Sequence, residues 1–331
     1  MLPGFIDLHA HGAMGQESMD ASVEGIQKMA RFYARHGVTA FLPTTWAATA
    51  AAVKKVIDTT HSMVGPVKNG ATILGIHLEG PYLNPSRSGA QDVNLIHHAD
   101  PNEAMALIDS GIVRLMALAP EIPENVWLIK ECVRRGITVS IGHSAANYEQ
   151  VKTAVQLGVT HATHTYNAMT ALGHRELGTV GAVMTFPEII CELICDNIHV
   201  HPAAQKILVD VKTPSGVVLI TDCIRGTGLP EGDYPIDNRT IKIKDGIARL
   251  PDGTIAGSIL SMEKALKNVM AATNRSLVET WPMTSLNAAQ NIGISAYKGS
   301  LEVGKDADMV LLTKELEVAM TIAEGVIIFE K

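Results

Sequence analysis

The sequence predicts an α/β chain whose main body is a (β/α)8 TIM-like barrel. Two observations predict it. Eight short apolar runs alternate with amphipathic stretches, and five of those runs end beside a residue able to hold, or work next to, a divalent metal: His9/His11, Glu79, His143, His164 and Asp222. Parallel strands covered on both sides are near-continuously apolar, as these are. In such a barrel every strand C-terminus opens on one face, so residues as far apart as His9 and Asp222 converge on a single ion.

The candidate strands are residues 4–9, 38–43, 72–78, 113–118, 137–142, 159–164, 189–195 and 217–221. Helical patterns lie between most of them, for example 23–36, 51–63, 125–135 and 148–157, and Gly37, Gly136 and Gly158 supply the expected stop just past the last turn of three. After the eighth strand the texture changes. Residues 234–255 read as a β-hairpin insertion with Asp245-Gly246 and Asp252-Gly253 as turns, and 261–273 and 285–292 read as helices. Residues 308–312, 317–322 and 325–329 read as strands too short to form a sheet alone, so they need partners from elsewhere in the chain. The expected division is 1–298 for the barrel with its insertion and 299–331 for the C-terminal strands of a small β domain.

Composition narrows the function. With 331 residues, 47% of them hydrophobic, the chain builds one large core plus a small annex. A net charge of -7 without a basic block argues against nucleic acid as a partner. No apolar run approaches the roughly 18 residues of a membrane span, and the first residues lack the pattern of a signal peptide, so a cytoplasmic protein is expected. Cys132, Cys191, Cys195 and Cys223 are too few for a disulfide scaffold and read as reduced, buried thiols, with Cys191 and Cys195 as a metal pair the alternative.

His9 and His11 flank one residue at a strand end, so both imidazoles point the same way. Alone, such a pair reads equally as a polar strand end, and Glu79 alone reads equally as a cap or loop residue. His161 and His164 have a spacing that puts them on opposite faces of a strand. His164 is expected at the mouth and His161 as a packed or hydrogen-bonded histidine. Met169, Met184 and Met262 read as packing, and Arg87 and Arg225 as solvated surface charges.

The words PGFID from Pro3, HLEGP from His77, GHS from Gly142, THATHTYNAM from Thr160, DNIHVHP from Asp196, TDC from Thr221, AGS from Ala256 and GKDADMV from Gly304 span nearly the whole chain. In that order they resemble the N-acetylglucosamine-6-phosphate deacetylases of the amidohydrolase superfamily. The resemblance implies a metal-bearing barrel with a small β-sandwich domain, a homodimer, and hydrolysis of the acetamide of a phosphorylated amino sugar in amino-sugar catabolism. It assigns Glu79, His143 and His164 as metal ligands, Asp222 as catalytic acid/base, and His9 and His11 as the place where some members hold a second ion. One or two ions per subunit are expected, Zn²⁺ first, with Fe²⁺, Co²⁺ or Mn²⁺ also suited. His199 resembles a substrate-contacting residue that helps hold the oxyanion. Asn167 and Ala168 resemble the positions that hold the sugar phosphate, and Arg175 a phosphate-contacting arginine sometimes supplied across the dimer. Ala90 and Gln91 fall in a loop over the substrate, and Ile255, Ala256 and Gly257 in a substrate-lining turn.

Family members carry further strands before PGFID, so the β-sandwich annex is expected to be truncated on its N-terminal side. Three competing readings stand beside the main one. They are a deacetylase for N-acetylgalactosamine 6-phosphate, a dihydroorotase-like enzyme disfavoured by the lack of a metal-bridging lysine at the fourth strand, and a catalytically impaired sugar-phosphate-binding truncation product.

Overall fold

The computed structural model describes residues 1–331. The first strand, Phe5–Ala10, pairs in parallel with Val38–Pro43, which pairs with Gly70–Ile73. After a break at residues 74–75 the same stretch resumes as Ile76–Glu79. Val113–Leu118, Thr138–Ile141, His161–Ala162, Ile190–Ile194 and Val217–Ile220 follow, each parallel to the one before. The far edges meet. Ala10 and Cys223 form a parallel bridge, and the Asp222 N–H donates to the His9 carbonyl at 2.9 Å. The sheet therefore curls into a TIM-like arrangement in which Phe5, Leu8, Phe41, Leu78, Leu115, Val139, Leu193 and Leu219 are fully buried. Each such side chain contributes roughly 1.5–3 kcal/mol by leaving water.

The helix Val23–Arg35 shows how local sequence sets an element. The Ser22 side chain accepts from the Gly25 N–H at 3.1 Å and so caps a donor that the first turn leaves free. Ile26, Met29, Ala30 and Tyr33 then recur at helical spacing and bury one stripe against the sheet. Gly37, at φ +81°, takes the chain out of the helix and into the next strand. Ala50–His61, Val126–Arg134 and Tyr148–Gln156 occupy the other expected helical stretches, and Pro101–Ile108, Gly178–Thr185 and Pro202–Lys212 fill further connections.

Two small antiparallel sheets flank this body. Met309–Leu312, Val318–Ala323 and Val326–Glu330 take their fourth strand from Leu2–Pro3, with Leu2 opposite Val310, so the partner they require comes from the start of the chain. The insertion is larger than the expected hairpin. Gly232–Ile236, Arg239–Lys244 and Ile247–Arg249 form a three-stranded sheet, because the stretch before Asp237 also extends and pairs. Ile241 and Ile243 point inward while Lys242 and Lys244 are exposed, giving a small separate core with Ile224, Ile236 and Ala256. That core brings the insertion over the C-terminal end of the curled sheet.

The sixth strand is shorter than expected, only His161–Ala162. Arg225 is no solvated charge: its guanidinium pairs with Glu17 at 2.7 Å and Asp20 at 2.8 Å, and its side chain is largely buried. Cys191 and Cys195 are free and buried, and neither joins any cluster of potential metal ligands. Met169, Met184 and Met262 are buried in the main core. No helix is long and apolar enough to cross a membrane.

Candidate metal and catalytic site

The strand ends converge as their spacing suggests, but by an unexpected backbone route. His143, His164 and Asp222 all lie just past their strands in the left-handed region, with φ of 48°, 28° and 50°. For residues other than glycine this costs on the order of 1–3 kcal/mol each, and it frees the side chains from strand alternation. Gly257 makes room for the last of them. Its φ is +58°, and a Cβ there would stand 2.4 Å from Ile224 Cγ2 and 2.9 Å from the Asp222 carbonyl oxygen.

Two groups of donor atoms result. In one, His164 Nε2 is 2.9 Å from Glu79 Oε1 and 3.1 Å from His143 Nε2, and His143 Nε2 is 3.2 Å from the same Glu79 oxygen. His143 Nδ1 lies 2.8 Å from the Arg87 carbonyl, which can only accept, so a proton sits on Nδ1 and Nε2 is the nitrogen turned toward Glu79 and His164. In the other group His9 Nε2 is 3.1 Å from His11 Nε2 and 3.5 Å from both Glu79 Oε1 and Asp222 Oδ1. His11 Nε2 is 3.2 Å from Asp222 Oδ1 and 3.5 Å from Glu79 Oε2. Glu79 therefore stands between the two histidine pairs. Neighbouring ligands around an ion with bonds of roughly 2.0–2.2 Å lie roughly 3.0–3.5 Å apart, and these nitrogen and carboxylate donors match that spacing.

The electrostatics agree. Burial opposes charge on Glu79, but His9 and His143 outweigh it and hold the carboxyl well below the usual range. Burial likewise opposes charge on Asp222, and His9 and His11 outweigh it to hold that carboxyl low. Burial pulls His9 down, yet the carboxylates of Glu192, Glu79 and Asp222 push it up to about 10. Without an ion, a proton on His9 serves as counter-charge to this cluster, and a bound cation would release it.

A cavity of about 260 Å³ opens on this cluster. His11, Glu79, His143, His164, His199 and Asp222 line it, together with Ala90, Gln91, Asn167, Ala168, Ile255, Ala256 and Gly257. His9 lies beneath, fully buried. His199 Nδ1 is 2.6 Å from Asp196 Oδ2, which orients the ring and leaves Nε2 for the cavity. Gln91 donates to Glu79 Oε2 at 2.6 Å and accepts from the Ala47 N–H at 2.7 Å, tying its loop to the cluster.

The amidohydrolase family model matches residues 1–328. The chain belongs to the amidohydrolase family. It is 36% identical to the N-acetylglucosamine-6-phosphate deacetylase of Bacillus subtilis, over 99% of this chain and 84% of that protein. It is also 36% identical to an N-acetylgalactosamine-6-phosphate deacetylase of Escherichia coli, over 98% of this chain and 86% of that one. The crystal structure of N-acetylglucosamine-6-phosphate deacetylase from Thermotoga maritima superposes with a TM-score of 0.93 at 34% identity, covering 100% of this chain and 89% of that one.

One expected residue of this amidohydrolase is not at the cavity. Arg175 is exposed and does not line it, because residues 171–176 turn outward, with the Gly173 N–H donating to the Glu176 carbonyl. The one lysine or arginine that does line the cavity is Arg239 of the insertion, a residue the sequence did not flag. Its guanidinium pairs with Asp237 and donates to the Ala90 carbonyl at 2.8 Å. Trp46 and Asp92 are further lining residues without a sequence signal. His161, expected off the mouth, points at Glu192 Oε1 at 2.9 Å. Glu192 lies within an apolar strand, and the single carboxylate inside ICELIC is the only sequence signal for it.

Proposed function

We propose that this amidohydrolase hydrolyses the acetamide of N-acetyl-D-glucosamine 6-phosphate, giving D-glucosamine 6-phosphate and acetate. The observation that carries the reading is Asp222 standing beside the Glu79–His143–His164 donor set on the cavity, in a chain whose full-length relatives bear that activity in their names. Glu79, His143 and His164 would hold the first ion, and His9 and His11, sharing Glu79, a second; Zn²⁺ is the first candidate, with Fe²⁺, Co²⁺ and Mn²⁺ suited to the same donors. A divalent ion bound here would lower the pKa of water toward neutrality and polarise the amide carbonyl.

The chain's own groups do the rest. Asp222, whose carboxylate stands at the cavity 3.2 Å from His11 Nε2, is the base that takes a proton from the attacking water. The same carboxyl then delivers that proton to the amine as the C–N bond breaks. His199, with its Nδ1 fixed by Asp196, aims Nε2 at the cavity to support the oxyanion. Asn167, Ala168 and the Ile255–Ala256–Gly257 turn position the sugar phosphate. Ala90 and Gln91 cover it.

The same reading makes the protein a cytoplasmic homodimer, with Arg175 reaching the phosphate of the partner copy. It also treats 1–298 as a (β/α)8 barrel and 299–331, joined by Leu2–Pro3, as the small β domain.

The equal identity to a galactosamine-type relative favours a second substrate, the epimer at one hydroxyl. Acetate release measured side by side on both sugar phosphates decides between them. A higher kcat/KM on the gluco epimer supports the main reading, and the reverse order replaces it.

A further inference from the structure

Glu192 lies in the seventh strand, Ile190–Ile194, and is fully buried. A carboxylate at such a place is costly unless every oxygen is engaged. Here both are. Oε2 is 3.0 Å from His9 Nδ1 and accepts from the His164 backbone N–H at 2.9 Å, while Oε1 is 2.9 Å from His161 Nε2. One side chain thus grips the ring of His9 and the backbone of His164, which stand in the two different donor groups.

His9 has no other hydrogen bond on Nδ1 than this one, and a carboxylate accepts only, so Nδ1 carries a proton and Nε2 is left facing His11, Glu79 and Asp222. His77 packs edge-on against the same ring, with centroids 4.7 Å apart and planes at 86°, and both of its nitrogens lack a hydrogen-bond partner. It limits the ring sterically but cannot choose which nitrogen faces the mouth. Glu192 makes that choice.

We infer that Glu192 is the positioning residue of the His9 half of the centre, setting the tautomer and tilt of His9 and anchoring the backbone of His164 through one buried carboxylate. This rests on the reading of the donor cluster as a metal centre. A carboxylate behind a metal-binding imidazole orients the ring and raises its basicity, and losing such a partner typically weakens metal affinity roughly 10–100-fold.

The test is titration of Co²⁺ into metal-free protein, reading ions bound per chain and the ligand-field absorption band. Wild type, Glu192→Gln, Glu192→Asp, His9→Asn and the Glu192→Gln/His9→Asn double variant are compared, with circular dichroism reporting folding. Glutamine keeps the shape but loses the charge, and aspartate keeps the charge but withdraws it by one methylene, so either folded variant carries the comparison. The expected result is cobalt binding weakened roughly 10–100-fold with a shifted band in the Glu192 variants, and little added effect of Glu192→Gln once His9 is gone. Unchanged affinity and band in a folded Glu192 variant would overturn the inference, as would a full-sized further loss in the double variant. A wild-type chain that takes up no cobalt would instead overturn the metal reading beneath it.

Discussion

The mouth of the curled sheet and the terminal sheet both bury charge, and they handle it in opposite ways. Beside the terminal sheet, Lys298 is almost fully buried and its ammonium fills the space between Asp306 at 2.8 Å, Asp308 at 2.9 Å and Glu324 at 3.5 Å. The Asp308 carboxylate also accepts from the Glu324 N–H at 2.8 Å. There the chain supplies its own cation, and the backbone hydrogen bond adds to a closed network. At the mouth the chain supplies ligands instead. Imidazole nitrogens and carboxylate oxygens of His9, His11, Glu79, His143, His164 and Asp222 face one another with no lysine or arginine among them. A network that is complete in itself is structural, whereas one that lacks only its cation is a binding site.

Asp222→Asn is the largest expected break of that contrast. It removes the proton carrier but keeps the shape, so turnover should fall by roughly 10²–10⁴-fold while metal content per chain stays the same. Acetate release and elemental analysis on one sample check both halves; substantial residual turnover would remove Asp222 from its role.

Lys298→Met should do the reverse. Taking the cation from Asp308, the one buried carboxylate of the three, costs about 3 kcal/mol of stability, seen as a lower denaturant midpoint, with turnover per folded molecule preserved. The pH dependence sharpens it. The carboxylates overcome burial and raise the Lys298 pKa above its ordinary 10.5. A group whose folded pKa is raised contributes fully below its unfolded value and loses that contribution as pH rises through the folded one. The stability gap between wild type and Lys298→Met should therefore be constant at neutral pH and narrow only in alkaline solution above 10.5. A gap that closes at neutral pH would contradict the assignment.

The smallest effect concerns the insertion. Arg239 links it to the loop holding Ala90 and Gln91. Arg239→Gln removes a charge-assisted bond worth about 1.5 kcal/mol, so KM should rise roughly tenfold with kcat little changed. Steady-state kinetics on the sugar phosphate would show it, and an unchanged KM would make the insertion a bystander.

Much of the mouth was legible because its residues sit where apolar runs stop. The HxH pair, Glu79, His143, His164 and Asp222 all stand at such ends, and His161 and His164 do part company, though through the left-handed turn at His164 and not through strand alternation, because the strand stops at Ala162. What escaped had physical reasons. Glu192 lies inside a buried strand, where one charge among apolar neighbours reads as an exception until its partners on the first and sixth strands are seen. Arg239 lies in an alternating strand with an exposed face, which looks like any surface strand until the insertion folds back over the cavity. The outward turn at Arg175 depends on a local hydrogen bond that its residue types do not announce. The left-handed backbone at His143, His164 and Asp222 is one that histidine and aspartate adopt more readily than most residues, but nothing in the local sequence marks these three positions for it.

The most direct test of the central claim is acetate release from N-acetylglucosamine 6-phosphate by the purified chain, with metal content determined on the same sample before and after chelation. The account predicts turnover that tracks bound metal, vanishes on chelation and returns when a divalent ion is restored. Turnover that survives complete removal of metal, or fully loaded protein that releases no acetate, would contradict it.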